Sequence, residues 1–521
     1  MANLIPKPAK LREGTKLVNF SRNTAFSGAV PENFEVLKTM LPAVDAPTNS
    51  LVFHKDHSVP QEGYRLCCKD GTIHVAASDG SGAFYAVMFL LQLSADQGFF
   101  TEVTIEDAPR FRHRGFMLDC ARHFWTVEHI KKILDVMAML KMNIFHWHLS
   151  EDQGWRIKIK KYPLLTEKGS IRKSTPLSGD CENGPRDYTE YGRGMFYTQE
   201  QVKDVVAYAL ARHINIIPEI DMPGHFVAAI SCYSHLSCTG EQVDVSVNWG
   251  VNDNIACCGK EDIYIFVKDI IDELCELFPY PYFHIGGDEV PKTRWKVCPR
   301  CQAKIKELGL KDEDALQSHF NNVLSAYLKS KGKHTVGWNE SLESSETLNP
   351  SIIPQWWILR GDSSKEKNWL AAGNKMLLSL IDYVYLNLPF ALTSLEKAYS
   401  FGPEVMGVED ETNILGLEAP QWTEHVLNFE YLSMITFARL AAVAEACWTR
   451  KDLKNYPDFE NRIENMRGFF AENGILIAPK ALYGGDTLGD VSEEERNKKA
   501  WEAWGADPRF EYKMMKAMQK N

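Results

Sequence analysis

Two carboxylates stand side by side, directly after a short apolar run, in the segment HIGGDE at residues 284–289. Side chains alternate between the two faces of a strand, so Asp288 and Glu289 reach one pocket only where the strand ends. Like charges this close oppose joint ionisation, and one carboxyl group can therefore keep its proton near neutral pH. A general acid requires that property. Two solvated acids in a loop or at a helix N-terminus are the alternative for this pair taken alone.

Other acids, histidines and tryptophans follow other short apolar runs. They are His146-Trp147-His148 with Glu151 and Asp152, Glu219 with Asp221 and His225, Trp338 with Glu340, Trp356 with Trp357, Tyr385 with Asn387, and Trp422 with Glu424. Cleavage of a glycosidic bond needs an acid for the leaving oxygen and flat apolar walls for the sugar ring. This combination of residue types therefore favours a carbohydrate-cleaving site.

Short apolar runs must position these residues, and they alternate with long amphipathic segments. The predicted strands are Phe116–Cys120, Asn143–Leu149, Ile214–Ile220, Tyr282–Ile285, Thr335–Trp338, Ser351–Trp357, Met376–Leu388 and Ile414–Trp422. Predicted helices include 127–142, 198–213, 261–278 and 315–331, the second with a capping box of Thr198 and Gln201. The pattern predicts an α/β fold, a (β/α)8 TIM barrel with its site at the carboxyl ends of the strands. A doubly wound open sheet is the alternative, but no glycine-rich phosphate turn follows the first strand.

Three domains are predicted along the chain. Residues 1–108 form a small α+β N-terminal domain, with a hairpin of Tyr64–Lys69 and Thr72–Ala77 around Asp70-Gly71. Residues 109–450 form the catalytic barrel. Residues 451–521 are polar and helix-prone, and we expect a C-terminal helical extension there.

Composition excludes several classes of protein. The chain has 521 residues and a formal net charge of −11, which disfavours nucleic acid or an anionic membrane as a partner. No apolar run reaches the length of a membrane span, and no signal peptide is recognisable at the start. We therefore expect a cytoplasmic location, with a secreted mature form as the alternative. We expect no cofactor, and the oligomeric state is left open.

Cysteines number twelve, too few for a disulfide scaffold. Cys298 and Cys301 form a C-x-x-C, but no second such pair lies nearby, so a structural metal is not expected. Cys238 and the Cys257–Cys258 pair flank one loop and could bridge in an oxidising compartment. Free thiols are the favoured interpretation.

Several motifs, in order along the chain, resemble those of family 20 glycoside hydrolases, the β-N-acetylhexosaminidases. They are RG with LD and RH at 114–123, HWHL at 146–149 with Asp152 and GWR at 154–156, DMPGH at 221–225, and HIGGDE at 284–289. The resemblance runs from residue 64 to about residue 448. It includes the small α+β domain that usually precedes the barrel of this family.

The resemblance implies substrate-assisted catalysis, an exception to the usual two-carboxylate scheme. The substrate is a glycan with a terminal N-acetylhexosamine, whose own 2-acetamido oxygen attacks the anomeric carbon. Glu289 is then the general acid, and Asp288 orients the acetamide and stabilises the oxazolinium ion.

The resemblance also implies sugar-binding roles for residues around this pair. Arg114 would bind the 3- and 4-hydroxyls, and its alternative is a salt bridge at the bottom of the barrel. Asp152 and His225 would form a relay behind Glu289, with His148 and Glu151 in support. The remaining assignments are Trp338, Trp356 and Trp422 as an aromatic box, with Trp357 as the alternative to Trp356, Tyr385 for the acetamide carbonyl, Asn387 for a hydroxyl where many relatives carry Asp, and Glu424 for the 4- and 6-hydroxyls.

The implied activity is a retaining exo-β-N-acetylhexosaminidase. A lacto-N-biosidase of the same family is the enzyme alternative, and an inactive carbohydrate-binding barrel is the alternative from another class. A metal-dependent hydrolase that uses His146 and His148 as ligands is the third, but it leaves the Gly-Gly-Asp-Glu segment unexplained.

Overall fold

A computed structural model describes residues 3–31, 34–41, 43, 49–94, 98–359, 361–484 and 492–518. The chain begins with a mixed six-stranded sheet of order β1-β6-β4-β5-β3-β2 and two helices. Their bounds are β1 Lys10–Asn19, β2 Phe26–Gly28, α1 Glu35–Lys38, β3 Ser50–Lys55, β4 Tyr64–Lys69, β5 Thr72–Ala77, α2 Gly80–Ser94 and β6 Phe99–Asp107. The β4–β5 hairpin is confirmed, because the two strands pair antiparallel and both Asp70 and Gly71 have positive φ.

Eight parallel strands then close into a barrel in chain order, which confirms the predicted TIM barrel. Two short ribbons, β9–β10 and β11–β12, lie between the second and third barrel strands. The bounds are β7 His113–Asp119, β8 Ile144–His148, β9 Ser150–Glu151, β10 Gly154–Trp155, β11 Thr175–Pro176, β12 Arg186–Asp187, β13 Asn215–Glu219, β14 Tyr282–His284, β15 His334–Trp338, β16 Ile353–Trp356, β17 Met376–Leu378 and β18 Ile414–Gln421.

The seventh barrel strand is much shorter than the predicted run 376–388. Only Met376–Leu378 pairs with its neighbours, and a short helix at 381–384 follows. Most of the apolar residues from 380 to 388 are buried without being part of a strand. A continuous apolar run therefore indicates burial there, and does not fix the secondary structure.

Helices surround the barrel and cover the apolar outer faces of its strands. Their bounds are α3 Val127–Met139, α4 Leu164–Glu167, α5 Gln199–Leu210, α6 Val227–Cys232, α7 Glu261–Leu277, α8 Thr293–Val297, α9 Pro299–Leu308, α10 Glu313–Ser330, α11 Ser364–Ala371, α12 Ile381–Val384, α13 Leu395–Ser400 and α14 Phe429–Trp448. The capping box is confirmed at the start of α5, where Thr198 and Gln201 each bond the other's backbone N–H. Helix α14 is buried over nearly its whole length.

Four more helices end the described chain. They are α15 Tyr456–Asn465, α16 Arg467–Glu472, α17 Glu493–Ala506 and α18 Phe510–Met518. Within the ranges described above, no helix is both long and apolar enough to span a bilayer.

Candidate active site

The turn after β14 brings the adjacent acids against a third carboxyl group. Gly286 and Gly287 both have positive φ, 66° and 100°, which glycine adopts without a side-chain clash. A Cβ on Gly286 would lie 1.7 Å from Oδ1 of Asp221, so only glycine allows this approach. The backbone N–H of Gly287 donates to the same oxygen at 3.0 Å. The two glycines therefore place Asp221 beside Asp288.

Asp288 and Glu289 differ in depth. The Asp288 side chain is 11% exposed, whereas the Glu289 side chain is 41% exposed. Glu289 has a φ of 47°, and His225, the residue that faces it, has a φ of 50°. Left-handed backbone at a non-glycine residue is strained by about 1–3 kcal/mol and is common at functional sites. The two strained residues meet, with His225 Nε2 3.5 Å from Glu289 Oε2.

The electrostatics decide which acid of the pair keeps its proton. Burial raises the pKa of Asp288 to about 6, although the His225 charge and a hydrogen bond from Asp221 oppose the shift. The hydrogen bond from His225 lowers the pKa of Glu289 despite partial burial. The expectation of one raised carboxyl pKa therefore holds for Asp288 and not for Glu289. Burial and the Asp288 charge raise the pKa of Asp221 well above its ordinary value, so Asp221 is the neutral donor.

His225 joins Glu289 to buried acids, but its nearest carboxylate is not the predicted one. Its Nδ1 lies 3.0 Å from Oε2 of Glu151 and 3.9 Å from Oδ2 of Asp152. Asp152 instead accepts a hydrogen bond from the backbone N–H of Val227, at the start of α6. Burial disfavours a charged His225, but Glu151 outweighs it and raises the pKa of His225 well above its ordinary value. Glu151, predicted only as a supporting residue, is thus the nearer partner of His225, and a part for Asp152 in the relay stays a prediction.

A buried network of histidines and acids forms the floor beneath the pair. Glu219 lies 3.0 Å from Nε2 of His146 and 2.9 Å from Nδ1 of His284, and it accepts from His148 and from the indole N–H of Trp338. Burial alone would lower the pKa of His146, but Glu418 and Glu219 outweigh it and raise that pKa to about 9. All four ring nitrogens of His146 and His148 lie within 3.4 Å of a carboxylate oxygen, so they are already engaged by Glu219, Glu418 and Glu151. The floor therefore does not favour the metal-hydrolase alternative.

Arg114 lies at the wrong end of the barrel for its predicted role. It is near the amino end of β7, fully buried, and its guanidinium donates to both carboxylate oxygens of Glu62 at 3.1 and 2.9 Å. It also donates to the hydroxyl of Tyr85, so it joins the barrel to the N-terminal sheet domain. The prediction that Arg114 binds sugar hydroxyls is wrong, and its alternative, a salt bridge at the bottom of the barrel, is what the structure shows.

Arg122 is the arginine at the site, and the sequence reasoning assigned it no role. It follows β7, its Nη2 lies 2.6 Å from Oε1 of Glu151, and its guanidinium lies 4.9 Å from the ring of Trp422. The charges of Glu424 and Asp288 also act on it. Its position after the end of the predicted strand 116–120 was the available signal, since Arg114 precedes that strand.

Four aromatic residues form one wall, and Trp356 is not among them. Trp338, Trp357, Tyr385 and Trp422 pack in one cluster, with Trp357 stacked on Tyr385 at 5.7 Å and Trp338 at 5.8 Å from Trp422. Trp356 belongs to the main core, where its indole N–H donates to the Ile358 carbonyl. Consecutive residues of a strand point to opposite faces, so only one of the two tryptophans can face the site. The prediction of Trp356 is wrong, and Trp357 takes that place.

Tyr385, Asn387 and Glu424 lie at or near this wall, and their roles toward a sugar stay predictions. The indole N–H of Trp422 donates to the hydroxyl of Tyr385, and the charge of Asp288 acts on that hydroxyl. Burial raises the pKa of Glu424, although the Arg122 charge opposes the shift. Asn387 follows Tyr385 by two residues, and its buried Oδ1 has no hydrogen-bond partner in the described part of the chain.

The C-terminal helix α17 also contacts the aromatic wall. Ala500 is fully buried in the same cluster, and Trp504 packs against it from the outside. The ring of Trp504 lies 5.4 Å from that of His425, which follows Glu424. The sequence analysis predicted a polar helical extension here and assigned no part of the site to it.

Family comparison identifies both structural units. The model described as "Glycosyl hydrolase family 20, catalytic domain" matches residues 111–451, and "Glycosyl hydrolase family 20, domain 2" matches residues 1–108. The "Beta-hexosaminidase" of Porphyromonas gingivalis is 37% identical over 506 residues, which cover 89% of this chain and 62% of that protein. This chain therefore spans less than two thirds of that relative. The "Beta-hexosaminidase" of Vibrio furnissii is 34% identical, over 77% of this chain and 67% of that one.

Solved structures agree with the sequence relatives. The crystal structure of a β-N-acetylhexosaminidase from Bacteroides fragilis superposes with a TM-score of 0.81 at 32% identity, covering 94% of this chain and 99% of that one. A GH20 exo-β-N-acetylglucosaminidase from Vibrio harveyi, solved in complex with N-acetylglucosamine, gives 0.79 at 30% identity, over 92% and 78% of the two chains. The resemblance inferred from the sequence motifs is thereby confirmed.

Proposed function

Because the chain belongs to glycosyl hydrolase family 20, we propose that it is a retaining exo-β-N-acetylhexosaminidase. Its substrate is a glycan that ends in β-linked GlcNAc or GalNAc. The relatives named above are called β-hexosaminidase or β-N-acetylhexosaminidase, and the site holds the acids and aromatic walls that such a reaction needs.

In the first step, the carboxyl group of Glu289 gives its proton to the glycosidic oxygen. The carbonyl oxygen of the substrate's 2-acetamido group forms a bond to the anomeric carbon as the bond to the leaving group breaks. The product of this step is a cyclic oxazolinium ion, and the leaving group departs as a neutral alcohol. Glu289 suits this role because its side chain is the more exposed of the two and can reach a bond at the mouth of the site.

In the second step, the Glu289 carboxylate removes a proton from water, and that water opens the oxazolinium ion at the anomeric carbon. Two displacements on one carbon restore the β configuration. The carboxylate of Asp288 accepts a hydrogen bond from the acetamide N–H and stabilises the positive charge of the oxazolinium ring. It suits this role because it is buried and is held by Asp221, so its position is fixed before substrate binds.

The single observation that carries the proposal is the arrangement of Asp288 and Glu289 on consecutive residues. Two carboxylates that act as acid and nucleophile face each other across the sugar, about 5–5.5 Å apart in the usual retaining scheme. Neighbouring residues, one deep and one at the mouth, instead serve the 2-substituent and the leaving group on one side of the ring. An attacking group from the substrate itself completes such a site.

A panel of aryl β-glycosides tests the proposal, with GlcNAc, GalNAc, glucose and lacto-N-biose as the sugars. We expect the N-acetylated monosaccharides to be cleaved at least about 10³-fold faster than glucose, because only they supply an attacking oxygen at the right place. NMR of the first-formed product should show β configuration. Equal rates on the glucoside, or release of an intact disaccharide, would contradict the proposal. The Glu289→Gln variant, purified in the same way, is the control for hydrolysis by contaminating enzymes.

A further inference from the structure

Four cysteines that are distant in sequence meet beside the active site. Cys257 Sγ lies 3.7 Å from that of Cys298 and 3.6 Å from that of Cys301, and Cys238 Sγ lies 3.9 Å from that of Cys301. All four sulfurs lie within 4.8 Å of one another, and we call this group the four-cysteine cluster. Cys257, Cys298 and Cys301 are buried, and Cys238 is partly exposed.

The spacing of the sulfurs matches a tetrahedral metal centre. Zinc–thiolate bonds are about 2.3 Å long, so four sulfurs at the corners of a tetrahedron around zinc lie about 3.8 Å apart. The sulfur separations of 3.6, 3.7 and 3.9 Å surround that value. Disulfide bonds would instead divide the four sulfurs into two separate pairs, each with its two sulfur atoms about 2.05 Å apart. Here the sulfurs of Cys257 and Cys301 each have two near sulfur neighbours, as a shared ion requires.

The local chain supports ligation by these sulfurs. Cys298 is the N-cap of α9, and Cys301 lies in its first turn, so the C-x-x-C turns around one point. The backbone N–H of Gly259 donates to the sulfur of Cys257, a bond that stabilises a thiolate. A Cβ on Gly259 would lie 2.3 Å from the backbone of Arg300, so only glycine lets the two loops approach this closely.

We propose that one structural zinc ion is bound by four thiolates, those of Cys238, Cys257, Cys298 and Cys301. Four thiolate ligands in a tetrahedron favour zinc or iron, and a closed set with no open position is typical of structural zinc. Each thiol gives its proton to solvent as the zinc–sulfur bonds form, and no oxidant or reductant takes part.

The ion would join the two loops that carry the catalytic groups. The segment with Cys238 and Cys257 follows the Pro-Gly-His turn that holds His225, and the segment with Cys298 and Cys301 follows Glu289. The loops also meet where the indole N–H of Trp295 donates to the carbonyl of Ala256. The zinc ion therefore has a positioning role, because it fixes the loop that follows His225 to the loop that follows Glu289.

Elemental analysis of the purified full-length chain is the direct test. After gel filtration in metal-free buffer, we expect about one zinc per chain. Cys257→Ser and Cys301→Ser should each lose the ion and melt about 10 °C lower. The matched control is Cys67→Ser, a partly exposed cysteine of β4 that is remote from the cluster, and it should retain zinc.

A second measurement does not depend on how the variants fold. A mercurial reagent added to wild-type protein should release zinc, read with a colorimetric dye, and cobalt substitution should give a thiolate-to-cobalt charge-transfer band. Thiol titration in denaturant without reductant should find all twelve cysteines. A protein without zinc, a protein with iron in its place, or the loss of four titratable thiols to two disulfides would each overturn the proposal. None of these outcomes would contradict the proposed hydrolase function, which the panel of aryl glycosides tests separately.

Discussion

His225 and Glu289 face each other with Nε2 3.5 Å from Oε2, while the other nitrogen of the same ring lies 3.0 Å from Glu151. The exposed acid is thus connected, through one imidazole, to a buried carboxylate that Arg122 also contacts at 2.6 Å. Both His225 and Glu289 hold this position in left-handed backbone. The site is therefore ordered around the proton of Glu289 before any sugar binds.

Glu289→Gln should remove the proton donor and leave the fold intact. We expect kcat to fall by about 10²–10⁴-fold on substrates with poor leaving groups, and much less on activated aryl glycosides that need no protonation. Steady-state kinetics on both substrate types measures the difference. Glu200→Gln, at the exposed start of α5, is the control and should be unaffected. Near-normal turnover of the poor substrate would show that another group is the acid.

Asp288→Ala should remove the group that orients the substrate's acetamide and stabilises the cyclised intermediate. We expect a thiazoline mimic of the cyclised intermediate to bind about 10-fold or more weakly, since a charged hydrogen bond is worth about 1.5–3 kcal/mol. Inhibition constants for wild type and variant give the comparison. Equal potency on both proteins would mean that Asp288 has no contact with the cyclised intermediate.

The pH profile should reflect one proton shared by the acid pair. Asp288 has a pKa of about 6 and that of Glu289 is lowered, so between these values the pair holds one proton. In the free site that proton lies mainly on Asp288, and the active form is the tautomer in which it has moved to Glu289 and Asp288 is ionised. We therefore expect kcat/KM to fall as pH rises above about 6, when the pair loses the proton, and to fall again at low pH, when both acids are protonated. A constant kcat/KM from about pH 5 to pH 8 would contradict this assignment.

Substitutions at Arg114 and Arg122 should have different effects, the first on folding stability and the second on catalysis. Arg122→Lys should lower kcat/KM by about 10–100-fold through lost hydrogen bonds, with little change in melting temperature. Arg114→Met should instead leave Glu62 unpaired at the base of the barrel, at a cost of about 3–5 kcal/mol of folding free energy. Thermal melts and kinetics on both variants check this. A stable Arg114→Met variant with low kcat/KM, together with an unstable but active Arg122→Lys variant, would mean that the two arginines have been assigned to the wrong ends of the barrel.

Substitution of Trp357 should reduce catalysis, whereas substitution of Trp356 should reduce folding stability. Trp357→Ala should reduce kcat/KM by about tenfold or more, because a sugar face loses about 1.5–3 kcal/mol of apolar contact. Trp356→Ala should mainly destabilise the fold, by about 3–5 kcal/mol, since it opens a cavity in the main core. Denaturant unfolding and kinetics separate the two effects. Loss of substrate binding in Trp356→Ala, without loss of stability, would restore the original assignment.

The sequence alone determined the barrel and the family. Alternation of short apolar runs with amphipathic segments is a local property, and the segment HIGGDE is contiguous, so both can be recognised without knowledge of which residues meet in space. The same local reasoning located the hairpin at Asp70-Gly71 and the capping box at Thr198.

Only the tertiary structure decided which neighbours act together. The choice between Trp356 and Trp357 depends on where β16 ends, whereas Arg114 could have been excluded from the sequence because it precedes the predicted strand 116–120. The relay through Glu151, and the meeting of Cys238 with Cys301, join residues from different strand–helix loops. Spacing along the chain carries no information on such contacts, because the closure of the barrel brings those loops together.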